Sequence, residues 1–200
     1  AFVASFTSHT LGLEKFEVNL NQTINMTDVN NVIVIIVLGV SFGIAGRLFS
    51  VLLHKAKVFM SKKIENPYMR IGVISIPLAI CLLFIFSGRY TGLGTNLISE
   101  ALGGNEVYYY DWILKLLFTI ATLAIGFQGG EVTPLFSIGA TLGVVLGSLL
   151  GISPIVCGAL GYAAVFGSAT NTLIAPIMIG IEVFGGTNML PFVIVCVIAY

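Results

Sequence analysis

Apolar runs of unequal length cover most of this chain, and short polar or glycine-rich breaks separate them. Residues 32–53 match the ~20 apolar residues that a helix needs to cross a bilayer, and residues 71–86 are expected to return across it. Residues 113–125 are too few to cross before a glycine pair interrupts them, and residues 135–150 resume the apolar pattern. The pattern predicts an all-α chain in which spanning helices alternate with broken, re-entrant half-helices. Further short helices are predicted at residues 96–102, 154–168, 173–184 and 190–200.

The break with the sequence GFQGGEVTP is the most unusual stretch of the chain. Gly129 and Gly130 permit close backbone approach and positive φ. Thr133 is a candidate N-cap, and Pro134 suits the first turn of a helix. A helix that begins near Pro134 directs its free amides toward the residues before it. Such a helix end can bind an anion, because its orphan N–H groups and its dipole both favour negative charge.

Composition places the chain in a membrane. Of its 200 residues, 57% are hydrophobic and 9% are charged, whereas about 25% are charged in a soluble domain. The mean hydropathy is +1.03. The sequence therefore predicts a polytopic integral membrane protein. The formal net charge of zero gives no indication of a nucleic-acid partner.

Basic residues set the expected orientation. They cluster around a short loop that holds one acid, Glu65, and such clusters stay in the cytoplasm. The polar, asparagine-rich residues 14–31 are then expected outside. The clustered basic residues are Arg47, Lys55, Lys57, Lys62, Lys63 and Arg70.

Two carboxylates stand out because Glu131 and Glu182 are the only charged residues between Lys115 and Tyr200. A carboxylate at membrane depth is costly, and it is usually functional. Glu182 lies near a predicted helix end, where a structural role is favoured. Glu131 is the stronger functional candidate, although an acid stabilised by a helix dipole would also fit.

The sequence gives little support for a metal site, a cofactor or an enzymatic activity. The cysteines at 81, 157 and 196 lie in apolar runs without metal-ligand spacing, and His9 is far from His54. No histidine, cysteine or second acid lies near Glu131 in the sequence, so the usual partners of a catalytic acid are missing. We expect no cofactor, no metal and no enzymatic activity.

The motif Gly130-Glu131-Val132-Thr133-Pro134, followed by LFSIGA, resembles the Gly-x-Phe-x-Pro motif of the CLC chloride channel and transporter family. In that family the motif opens a helix whose backbone amides help to bind the central anion. The resemblance covers nearly the whole chain. It implies that residues 1–200 form the C-terminal half of a CLC-type transport domain, without the first half and its external gating glutamate. The ion-coordinating tyrosine of the family is expected beyond Tyr200.

The chain departs from the chloride motif in an informative way. Val132 replaces the phenylalanine and Glu131 precedes it, a variant that resembles the fluoride-exporting branch of the family. The resemblance implies that Glu131 and Thr133 take part in transport. Glu131 is the candidate for proton coupling, because a carboxylate that changes charge at the ion site can couple proton movement to anion movement. A second departure is Leu173, where the family usually carries proline, while Pro176 follows three residues later.

These features lead to one expected function and several alternatives. We expect fluoride export coupled to proton import in a lipid-embedded homodimer of the bacterial inner membrane. A chloride channel or chloride/proton exchanger is the nearest alternative. A structural membrane subunit without transport activity and a membrane-embedded enzyme that uses Glu131 come from other classes.

Overall fold

The computed structural model describes residues 6–8, 10–12, 17–20, 22–84 and 86–200. The predicted polar loop at residues 14–31 therefore falls partly outside the described residues. The described part is helical without strands, which confirms the predicted all-α class. From residue 17 onward the α-helices are α1 (Val29–Lys63), α2 (Pro67–Phe84), α3 (Thr95–Gly103), α4 (Asp111–Ala124), α5 (Val132–Leu150), α6 (Pro154–Thr170), α7 (Ile174–Phe184) and α8 (Met189–Ala199).

The first helix is longer than its apolar pattern indicated. Asp28 caps its start by accepting a hydrogen bond from the Asn30 amide (3.0 Å). The helix continues ten residues past the predicted end at residue 53 and closes with Lys62 and Lys63 in its last turn. Lysine is a good helix former, and its charge stabilises the carboxyl end of the helix dipole. The apolar pattern thus marked the membrane-facing part of the helix rather than the whole of it.

The start of α5 corrects two predictions. The helix begins at Val132, and Glu131 rather than Thr133 occupies the N-cap position. Thr133 lies inside the first turn, together with Pro134, whose first-turn placement is confirmed. The helix therefore has 19 residues instead of the predicted 16. That length is enough to cross a membrane, so α5 is not a half-length helix.

The glycine break also differs from the prediction. Neither Gly129 nor Gly130 has a positive φ, and a Cβ on either would meet nothing within 4 Å in the described part of the chain. The left-handed residue is Gly126, with φ of 112°, directly after the end of α4. That conformation is open to glycine and strained for other residues. Gly126 therefore turns the chain, and the glycine pair borders open space.

The core is built around α6. Its residues from Val156 to Gly167 are all buried, and it packs against α1, α5, α7 and α8. Its contact with α5 is the closest, because glycines let the two backbones touch: a Cβ on Gly139 would collide with the Gly161 carbonyl oxygen. Small residues at four-residue spacing are typical of close helix packing in membranes. Phe136 stacks on Tyr162 across the same interface, with ring centroids 4.0 Å apart.

Three helices in the described part of the chain are long and apolar enough to cross a membrane: α1, α2 and α5. Of these, α2 stands apart from the core, because none of its residues is buried. The side chain of Arg70 ties it to the turn after α4, where Nε donates to the Ile125 carbonyl oxygen (2.9 Å).

The two predicted loops lie at opposite ends of α1. Its 35 residues extend over about 52 Å. At its amino end, Asn188 fixes the preceding polar segment by accepting from the Ile24 amide (3.1 Å) and donating to the Gln22 carbonyl (3.0 Å). The basic loop follows its carboxyl end. This placement agrees with loops on opposite sides of a membrane.

Candidate anion site at the start of α5

The start of α5 has backbone N–H groups without a hydrogen-bond acceptor among the described residues. The amides of Val132 and Thr133 make no hydrogen bond within the described residues, since the first backbone bond of the helix runs from the Leu135 amide to the Glu131 carbonyl (3.1 Å). Pro134 has no N–H, so these two amides are the main free donors of the first turn. No side chain caps them. The arrangement suits an anion, as expected from the sequence.

The Glu131 side chain is half-buried beside those amides. Among the residues that the structure describes, no group donates a hydrogen bond to its carboxylate and no cation lies within 4 Å of it. A carboxylate is usually paired or hydrogen-bonded when it leaves water. Glu131 is therefore available to a proton or to a ligand at the helix start.

Two adjoining cavities meet at Glu131. The larger, of about 810 Å³, is called the vestibule here; its polar walls include His54, Lys57, Arg70, Gln128, Gly129, Gly130 and Glu131. The smaller has about 330 Å³ and shares His54, Lys57 and Glu131 with the vestibule. It continues to Leu135 on α5 and to Thr170 at the end of α6. Glu131 thus faces two openings whose walls carry basic residues of α1.

His54, Lys57 and Arg70 are site residues that the sequence did not identify as such. The sequence pattern assigns the charges of Lys57 and Arg70 to a topology signal, which they also fit. The signal that could have found them is the position of Lys57 and His54 at the carboxyl end of a long helix. Only the tertiary approach of α1 and α2 to the turn after α4 brings them to Glu131.

A third cavity, of about 210 Å³, is called the inner chamber here and lies on the other side of the glycine pair. Gly129 and Gly130 line both the vestibule and the inner chamber. The walls of the chamber are mostly apolar, and they include Pro134, Thr119 and the cation Lys115.

A polar cluster fixes the loop above this chamber. Asp111 is fully buried and accepts hydrogen bonds from Arg89 Nη2 (2.8 Å), the Tyr90 hydroxyl (2.6 Å) and the Tyr108 amide (2.9 Å). Arg89 also pairs with Glu100 at 2.6 Å. Burial raises the pKa of Tyr90, and its hydrogen bond to Asp111 raises that pKa further. Tyr90 therefore remains a proton donor to Asp111 across the physiological range.

Glu182 is not part of this arrangement. It is exposed near the end of α7 and lines neither of the cavities that Glu131 lines. The helix that carries it begins at Ile174, directly after Leu173, with Pro176 in its first turn.

Spanning helices around a core of glycine contacts, with free amides and an unpaired carboxylate at a helix start, define an integral membrane protein whose site suits an anion. The chain belongs to the voltage-gated chloride channel family, whose sequence model matches residues 1–200.

Three relatives place the chain within that family. A chloride/fluoride channel protein of Pseudomonas syringae pv. tomato is 35% identical over 176 residues, covering 85% of this chain and 39% of that protein. An uncharacterised protein of Methanocaldococcus jannaschii is 28% identical, covering 92% and 46%. The crystal structure of a CLC-type fluoride/proton antiporter is 49% identical with a TM-score of 0.96, covering all of this chain and 50% of that one. The chain spans half or less of the length of these relatives.

Proposed function

We propose that this chain is the C-terminal half of the transport domain of a fluoride/proton antiporter that exports fluoride. The observation that carries the proposal is the Glu131 carboxylate beside the amides of Val132 and Thr133, none of which has a hydrogen-bond or ion-pair partner among the described residues. The similarity to a crystallised fluoride/proton antiporter along the full length of the chain supports it.

The chemistry of the helix start fits fluoride. Fluoride is a small, hard anion that accepts short hydrogen bonds, and the amides of Val132 and Thr133 with the Thr133 hydroxyl can donate them. Protonated Glu131 can donate as well, whereas ionised Glu131 repels an anion at the same place. A nearby anion favours the protonated carboxyl. Arrival of fluoride and uptake of a proton are thereby coupled at Glu131.

The walls of the vestibule support the direction of transport. Lys57 and Arg70 lie on the side assigned to the cytoplasm, and a cleft lined by positive charge raises the local concentration of anions. Fluoride would enter from that side and leave outward. We place the protein in the bacterial inner membrane, in line with the Pseudomonas relative. We propose neither a cofactor nor an enzymatic activity.

Chloride transport, by a channel or by a chloride/proton exchanger, is the second candidate, because the Pseudomonas relative is described as a chloride/fluoride channel protein. The full-length protein in liposomes separates the two. We expect fluoride efflux with proton movement in the opposite direction, and chloride efflux much slower. Equal or faster chloride efflux would replace fluoride by chloride as the substrate.

We predict that the complete protein is a homodimer. From the family resemblance we propose a subunit interface on residues 174–181 and 190–199, where Met178 and Val197 are 57% and 52% exposed. Single cysteines at these two positions should cross-link the full-length protein into dimers in mild detergent. A cysteine at Tyr68, on α2 and 85% exposed, is the control that should not cross-link. Monomers under all mild conditions would refute the interface.

We predict that the loop between α1 and α2 is cytoplasmic and that the loop before α1 is external. Cysteines at Glu65 and Thr27, both exposed, should react with membrane-impermeant reagents from the inside and the outside respectively. The reverse pattern of labelling would contradict the orientation.

A further inference from the structure

Lys115 is a buried lysine, with 1% of its surface exposed. Its Nζ donates hydrogen bonds to the carbonyl oxygens of Tyr90 (3.1 Å) and Gly92 (2.8 Å). Lysine is almost never fully buried unless its charge is paired. In the described part of the chain, however, no carboxylate lies within 4 Å of this ammonium. Two neutral carbonyls hold it in place, and neither cancels its charge.

The nearest acid on the same helix has other partners. Asp111 lies one turn before Lys115 on α4, and Arg89, the Tyr90 hydroxyl and the Tyr108 amide bond its carboxylate. Its carboxylate does not lie within 4 Å of the Lys115 ammonium.

The other polar group beside Lys115 is neutral. The Ser137 hydroxyl is fully buried and has no hydrogen-bond partner among the described residues. It lies close to the lysine stem, because Ser137 Oγ and Lys115 Cε are each 2.7 Å from the point that a Cβ on Gly94 would occupy. Within hydrogen-bond distance the ammonium thus has two carbonyls, an unpartnered hydroxyl lies close to the lysine stem, and no acid in the described part of the chain pairs with it.

This charge lies close to the candidate anion site. Lys115 lines the inner chamber with Gly129, Gly130 and Pro134, and the same two glycines line the vestibule together with Glu131. A charge inside a protein acts over a longer distance than one in water, because the effective dielectric constant is lower and mobile ions are excluded. The start of α5 therefore lies in the field of Lys115.

We propose that Lys115 is a fixed positive charge that holds the transported anion at the start of α5, as a positioning residue that acts through space rather than by contact. This inference rests on the proposed anion transport. The ammonium supplements the free amides of Val132 and Thr133, and it offsets the repulsion that ionised Glu131 exerts on an anion. Backbone carbonyls rather than an acid anchor it, so that no ion pair within 4 Å in the described part of the chain cancels its charge.

The first test removes the charge and keeps a hydrogen-bond donor. In full-length protein in liposomes, Lys115→Gln should raise the half-saturating fluoride concentration about tenfold, with a smaller change in the maximal rate. A tenfold weakening corresponds to about 1.4 kcal/mol, within the range of a charge pair at intermediate distance. Lys115→Arg keeps the charge and should remain within about twofold of wild type. Wild-type half-saturation in Lys115→Gln would overturn the proposal.

The second test leaves Lys115 and both of its hydrogen bonds in place. Ser137→Asp puts a carboxylate beside the ammonium and cancels its field, whereas Ser137→Asn has nearly the same shape without charge. We expect the aspartate variant to show at least a threefold higher half-saturating fluoride concentration than the asparagine variant. Equal values in this pair would overturn the proposal even if Lys115→Gln failed to fold.

A comparison of fluoride with chloride separates this inference from the proposed function. Each variant is also assayed with chloride. Wild-type protein that moves chloride instead of fluoride would overturn the proposed substrate, and the same shifts in half-saturation with chloride would still support the role of Lys115. Wild-type protein that moves neither anion would overturn both.

Discussion

Glu131→Gln is expected to lower fluoride-driven proton movement by about two orders of magnitude while the protein still folds. Positioned proton-transfer groups contribute about 10²-fold or more to the steps that they serve. Glutamine keeps the shape of the side chain and one donor, but it cannot titrate. Because the Glu131 side chain holds no hydrogen bond or ion pair in the described part of the chain, its loss should leave the packing unchanged. The measurement is paired fluoride and proton flux from liposomes that contain the full-length protein.

Three further variants test what this effect means. Glu131→Ala should also slow fluoride turnover, because donor and acceptor both disappear. Thr133→Val is nearly isosteric and should slow transport less than either Glu131 variant, unless the Thr133 hydroxyl contacts the ion. Glu182→Gln is the matched control, since Glu182 is the other carboxylate of this region and is exposed outside both cavities. Glu131→Gln that moves fluoride and protons at the wild-type rate and ratio would make Glu131 a structural helix-end acid with no part in proton coupling.

The start of α5 shows what local chemistry predicts well and what it misses. Proline and the glycines located the break, because the backbone preferences of these two residue types do not depend on tertiary context. The sequence placed the cap at Thr133 because threonine usually caps by a side-chain bond. In the structure the cap position is Glu131, two residues earlier, and no side chain caps the helix. A helix end that is left uncapped breaks the local rule, and such exceptions are expected at functional sites.

The vestibule shows why the rest of the site lay beyond sequence patterns. Arg70 and Ile125 are 55 residues apart in the chain, and their contact brings the basic end of α1 and the start of α2 near Glu131. The basic residues at the end of α1 already fit a topology signal, so the sequence pattern gave no reason to expect a second role for them. Lys115 shows a related limit, because its burial depends on a loop that Arg89 and Asp111 hold in place. Hydropathy records one charge among apolar residues and cannot tell whether that charge is paired.

Gly143→Ala is expected to destabilise the protein by about 2–3 kcal/mol, near the upper end of the usual range for overpacking. A Cβ on Gly143 would collide with the Cys157 carbonyl oxygen across the interface of α5 and α6. The obstacle is backbone, which cannot rotate away as a side chain can. Helix α6 would have to shift, although its residues from Val156 to Gly167 are buried on all sides. The thermal midpoint and the monodisperse fraction in detergent should both fall.

The matched control is Gly72→Ala on α2, where a Cβ would meet nothing within 4 Å in the described part of the chain. Alanine is a better helix former than glycine by about 1 kcal/mol, so this variant should be neutral or slightly more stable. An equal loss in both variants would show that glycine-to-alanine changes destabilise this chain for a reason other than the contact between α5 and α6. Loss at Gly143 alone would establish that this backbone contact between α5 and α6 is the reason for the destabilisation.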